Sequence, residues 1–74
     1  MENAKLYCST FPEEFGRYRV SVRDILGNEI TGVLPMSGRH LEVSVVEDHG
    51  EKALVIFPKG LNKEFAWINS NNLN

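Results

Sequence analysis

The sequence predicts a mostly-β fold, a single small antiparallel barrel or bent sheet of about five or six strands over residues 1–74. Three observations carry that prediction. Apolar and polar residues alternate at period two over Arg17 to Ile25 and again over Leu41 to Val46. Gly, Pro, Asn and Asp cluster at regular intervals, with short apolar runs between the clusters. Ala53 to Phe57 is an unbroken apolar run of strand rather than helix length.

Taken in chain order, Lys5 to Ser9 is a short first strand. Thr10-Phe11-Pro12-Glu13 has capping-box spacing with proline at a first-turn position, and predicts one helical turn or a tight loop before Gly16. In the next strand Tyr18, Val20 and Val22 take one face, and Arg17, Arg19, Ser21 and Arg23 the other. Val-Ser-Val is a poor helix former, which favours strand over helix there. Leu26-Gly27-Asn28-Glu29 is a turn, and Ile30 to Leu34 a return strand ended by Pro35. Ser37-Gly38-Arg39 turns the chain into Leu41–Val46. Asp48-His49-Gly50-Glu51 is the strongest hairpin signal. Ala53–Phe57 then reads as a central strand covered on both faces. Pro58-Lys59-Gly60 ends it, and Phe65–Ile68 is a last short strand.

Composition narrows the function. The chain has 74 residues, 42% hydrophobic and 24% charged, with a net charge of −2. A chain of this length buries a thin core, about 60% of its unfolded surface. With no basic surplus, non-specific nucleic-acid binding needs a local patch. Cys8 is the lone cysteine, so neither an internal disulfide nor a Cys-rich zinc site can form. No apolar run is long enough to span a bilayer, and Met1-Glu2-Asn3-Ala4-Lys5 lacks signal-peptide features. The expectation is a cytoplasmic protein.

The C-terminal half carries a resemblance. A hairpin (Leu41–Phe57), an aromatic strand (Phe65-Ala66-Trp67-Ile68), a turn (Asn69-Ser70-Asn71-Asn72) and a final apolar Leu73 follow one another. That series resembles the end of an SH3-like barrel. Trp67-Ile68-Asn69-Ser70-Asn71 is similar to the Tyr-Ile-Pro-Ser-Asn end of eukaryotic-type SH3 domains. The Ile-Asn-Ser-Asn-Asn run also resembles a stretch of the SH3-like photosystem accessory subunits of cyanobacteria. The resemblance implies the fold. The peptide-binding marks depart from the pattern: no acidic loop follows Leu6-Tyr7, and Ala53 and Leu54 stand near where paired tryptophans are expected.

Several groups carry chemistry. Arg17, Arg19 and Arg23 share one strand face and suit an acidic surface or a phosphate backbone, against the plainer reading of a solvated face paired to Glu29 or Glu42. Trp67, Phe65 and Tyr18 suit an aromatic platform, against simple core filling, with Trp67 the one expected to be partly exposed. Lys59 and Lys63 flank Gly60 in a loop able to contact an anion, against a solvated connection. Asp48, His49 and Glu51 read as turn chemistry rather than metal ligands. Cys8 reads as buried and inert. With no Gly-rich phosphate loop, paired carboxylates or zinc spacing, the chain is expected to be no enzyme and to use neither metal nor cofactor.

The leading expectation is therefore a small non-catalytic binding module that docks on a larger protein, of a size that suits a bacterial or phage accessory protein. Its expected contacts are Arg17, Arg19, Arg23, Trp67, Lys59 and Lys63. One alternative is a small-barrel nucleic-acid binder, with the Arg row on phosphates and Trp67 or Tyr18 stacking on a base. Another is a self-associating barrel with a site built at its interface, favoured by an outward Val46 or Val55.

Overall fold

The computed structural model describes residues 2–36 and 38–74. Seven strands follow in order: β1 (Glu2–Tyr7), β2 (Ser9–Pro12), β3 (Arg17–Arg23), β4 (Glu29–Pro35), β5 (His40–Asp48), β6 (Lys52–Ile56) and β7 (Phe65–Asn69). They form two antiparallel sheets, of order β1-β5-β6-β7 and β2-β3-β4. One 3₁₀ turn, Ser70–Asn72, follows β7 inside the segment expected to turn. The sheets do not close into a barrel. The expected strand count differs because the first strand bends: β1 pairs with β5, β2 pairs with β3, and Cys8 lies at the corner between them.

Of the helical turn or tight loop expected from Thr10-Phe11-Pro12-Glu13, the helical turn is absent: Thr10–Pro12 is extended in β2, and a tight turn follows before Arg17. Phe11 pairs with Arg19 and Pro12 with Tyr18, so tertiary pairing overrides the capping signal. Glu13 N–H donates to the Arg17 carbonyl at 2.8 Å. That alternation turns Pro12, which has no N–H, toward the free edge of β2, where proline blunts edge-to-edge pairing. Phe15 and Gly16 then make the turn, both with positive φ, as a tight hairpin demands.

Period two decides which residues meet in the core. Leu6, Val20, Ile30, Val55 and Ile68 are fully buried between the sheets, with Leu41, Val43, Ala53 and Phe57 around them. Cys8 is buried in the same cluster, and burial raises its thiol pKa, so it is a poor nucleophile. The loop after β6 holds the sheets together. Asn62 N–H donates to the Thr31 carbonyl at 2.9 Å, and Asn62 Oδ1 accepts from Thr31 N–H at 3.0 Å. An isolated bridge joins Gly32 to Leu61, and another joins Leu6 to Leu73 along the outer edge of β1, where Lys5 and Asn74 exchange backbone hydrogen bonds. The loop expected to be a solvated connection is thus a clasp on the edge of β4.

Asp24 organises the turn between β3 and β4. Its Oδ1 accepts from Leu26 N–H and Asn28 N–H, both at 2.9 Å, and its Oδ2 from the Asn28 amide at 3.2 Å. Desolvation works to raise its pKa. The hydrogen bonds from Asn28 and Leu26, helped by the charge of Lys63, outweigh it and hold the carboxyl below its usual value. A depressed pKa stabilises the fold above the unfolded carboxylate value and ceases to do so as pH falls through the folded one. Asp24→Asn is therefore expected to be less stable than the wild type near neutral pH, and the gap to narrow on acidification. Urea unfolding of both chains at about pH 7 and about pH 3 checks this.

Candidate functional site

The outer face of the four-stranded sheet is apolar over β6 and β7, where water is expected. Register places Leu54 opposite Trp67, and Ile56 opposite Phe65, on the side away from the core. Phe65 is 61% exposed and Ile56 41%, while Leu54 and Trp67 are half-buried by one another and their neighbours. Between Val45 and Glu47 the ladder shifts by one residue, and the bulge leaves Val46 43% exposed on β5. The turn between β3 and β4 reaches the same region, since Ile25 N–H donates to the Trp67 carbonyl at 3.0 Å. Ile25 and Leu26, both exposed, thus stand at the β7 edge.

Trp67 is held in place by polar neighbours. Lys52 Nζ lies 4.9 Å from its ring centroid, and the His49 ring meets it edge-on at 5.1 Å. His49 Nε2 is in turn 3.2 Å from Glu47 Oε1. These contacts hold a half-buried indole, and such a rigid aromatic can contribute strongly to an interface. In the hairpin tip itself, Gly50 N–H donates to Asp48 Oδ1 at 2.9 Å, which is turn chemistry.

The Arg row lies elsewhere, on the outer face of β3 in the three-stranded sheet. Arg17, Arg19 and Arg23 are all exposed. Arg19 Nε is 4.0 Å from Glu13 Oε2, and Arg23 donates to the Gly27 carbonyl at 2.6 Å. Glu29, expected as an ion-pair partner of the row, accepts instead from the Ser21 hydroxyl at 2.7 Å. Phe11 and Val33 flank Arg19 in register, and Phe15 at the hairpin tip is 94% exposed. Tyr18 alternates to the inner side with Val20 and Val22, so it shares no face with Phe65 and Trp67.

The structure therefore does not gather the expected contacts into one surface. Trp67 belongs to the apolar face, and Arg17, Arg19 and Arg23 to the other sheet. Lys59 and Lys63 are exposed on the clasp loop, where Lys63 acts on Asp24. Sequence reasoning named Trp67, and Val46 as an outward residue, but missed Leu54 and Ile56 as surface. It also expected β6 to be covered on both faces, and the outer one is bare. The missed signal is a count of layers: an unbroken apolar strand in a chain with two sheets has only one face to bury. Comparison with protein-family models, curated proteins and solved structures finds no match to this chain.

Proposed function

We propose that this chain is a small non-catalytic binding module that docks on a larger protein through the outer face of β5, β6 and β7. One observation carries the reading: Leu54 and Trp67, and Ile56 and Phe65, pair across β6 and β7 on the side of the sheet away from the core, with Ile56 and Phe65 exposed and Val46 exposed on neighbouring β5. Contiguous apolar surface on a small domain is costly to leave in water and marks an interaction site. The bend at Cys8, the β5–β6 hairpin, aromatic β7 and the 3₁₀ turn support an SH3-like arrangement beneath it. No helix among the described residues is long and apolar enough to cross a membrane. A cytoplasmic setting is part of this reading.

Phe65→Glu tests the reading, because Phe65 is exposed and its replacement leaves the core intact. Its effect on stability is expected to stay within about 0.5 kcal/mol. With a partner captured from nuclease-treated lysate and then purified, the variant is expected to weaken binding by about 2 kcal/mol, as at the centre of an interface. Equal affinity of the two chains would remove this face as the contact. Nucleic acid released by salt would transfer the reading to Arg17 and Arg19, with Phe11 beside them.

The exposed Val46 favours a second reading, in which the same face packs against another copy of the chain; Val55, fully buried, adds nothing to it. Sedimentation equilibrium separates the two. A dimer converted to monomer by Phe65→Glu supports self-association, and a wild-type monomer at micromolar concentration excludes it.

A further inference from the structure

We propose that the gap between the two sheets, at the end opened by β4 and β5, is a binding cleft for a small organic anion with an apolar body. The cleft is half-open to solvent, with a volume of about 690 Å³, within the size range of small-ligand sites. Its origin lies in the topology. Among the described residues the clasp loop hydrogen-bonds β4 at Thr31 and bridges it at Gly32, and Gly60 packs against Leu34. Beyond them β4 runs on to Pro35 with β3 as its ladder partner, while β5 starts at His40 in the other sheet. The sheets part there, leaving Leu34 and Met36 half-buried against a core in which Leu41 is buried.

Two kinds of lining meet in this cleft. Leu34, Met36 and Leu41 supply an apolar floor continuous with the core. Lys5, Lys59 and His40 stand around it. Lys5 faces Glu42 across the β1–β5 register, yet neither Lys5 nor Lys59 is in an ion pair among the described residues. Two ammonium groups against one carboxylate give the opening a positive surplus, and an imidazole adds a further hydrogen-bonding group. Apolar floor and cationic rim together select a carboxylate, sulfonate or phosphate carried on an aromatic or short aliphatic body. The cleft uses none of the residues of the apolar outer face, so a ligand there is compatible with a protein docked on that face.

The test is a titration of the ¹⁵N-labelled full chain with phenyl phosphate, with phenol as the uncharged control. Saturable amide shifts are expected at Leu34, His40, Leu41 and Lys59, with a dissociation constant of about a millimolar or tighter. Phenol is expected to bind at least about tenfold more weakly, since it lacks the charge-assisted contacts. Lys5→Gln combined with Lys59→Gln is expected to weaken phenyl phosphate by about tenfold without moving the unfolding midpoint. Glu42→Gln is expected to tighten it by about threefold, a gain that misfolding would not produce. Shifts confined to Phe65 and Trp67, equal binding of phenol, no saturation, or indifference to all three substitutions would each overturn the proposal.

Discussion

Ile68→Ala is expected to remove about 2–5 kcal/mol of stability, the range for truncating a fully buried aliphatic side chain. The total available to a chain of this length is about 4–11 kcal/mol, at the usual share per residue. One substitution therefore takes a large part of it. Ile68 is fully buried on β7, directly opposite Ala53 and two residues from Ala66. Those two alanines make room for it, and their short side chains cannot reach into the space it would vacate. The cavity stays open, and the cost falls toward the upper end of the range. Ile68→Val, which removes one methyl, is expected to cost about 0.5–1.5 kcal/mol. Urea denaturation of both variants with an unchanged slope checks the pair. A loss below about 1 kcal/mol for the alanine variant would mean that β7 does not close the core as described.

Gly32→Ala is expected to be damaging for the opposite reason, because it adds volume where there is none. Gly32 sits in the middle of β4, facing Val20 across the ladder. A Cβ there would overlap the Gly60 carbonyl oxygen and come within 2.8 Å of Leu61 Cδ2. The carbonyl is backbone, so it can move only if the clasp loop lifts from β4. Gly60 is itself constrained, with φ of 110° and Leu34 Cδ2 2.5 Å from the place a Cβ would occupy. An overpacked contact of this kind costs about 1–3 kcal/mol, and the hydrogen bonds between Thr31 and Asn62 are at risk with it. The distinguishing observation is hydrogen exchange. The Thr31 and Asn62 amides are expected to lose protection in Gly32→Ala, while the β5–β6 ladder keeps its own. Full protection at both amides would place the loop elsewhere.

These two residues differ in how far the sequence exposes their roles. Ile68 falls in an apolar run beside a tryptophan, and its burial follows from alternation once β7 is recognised. Gly32 looks like an ordinary weak point in a strand. Its necessity comes from a loop almost thirty positions away, which no local pattern encodes. The same contrast holds for the surface. Trp67 is visible as a candidate because its residue type is rare and large. Val46 becomes exposed through a bulge, a one-residue shift set by how β5 and β6 pair.

Read alone, the sequence determined the class of the fold, most strand positions, the hairpin at Asp48–Glu51, and which face of β3 carries arginine. Period-two alternation and turn chemistry are local, and they survive whatever the strands pair with. Only the tertiary structure decided that Thr10–Pro12 is extended, that β6 is covered on one face, and that the arginines and Trp67 occupy different sheets. Each of these depends on which strands become neighbours, and that is settled by long-range burial in a two-layer chain rather than by propensity along it.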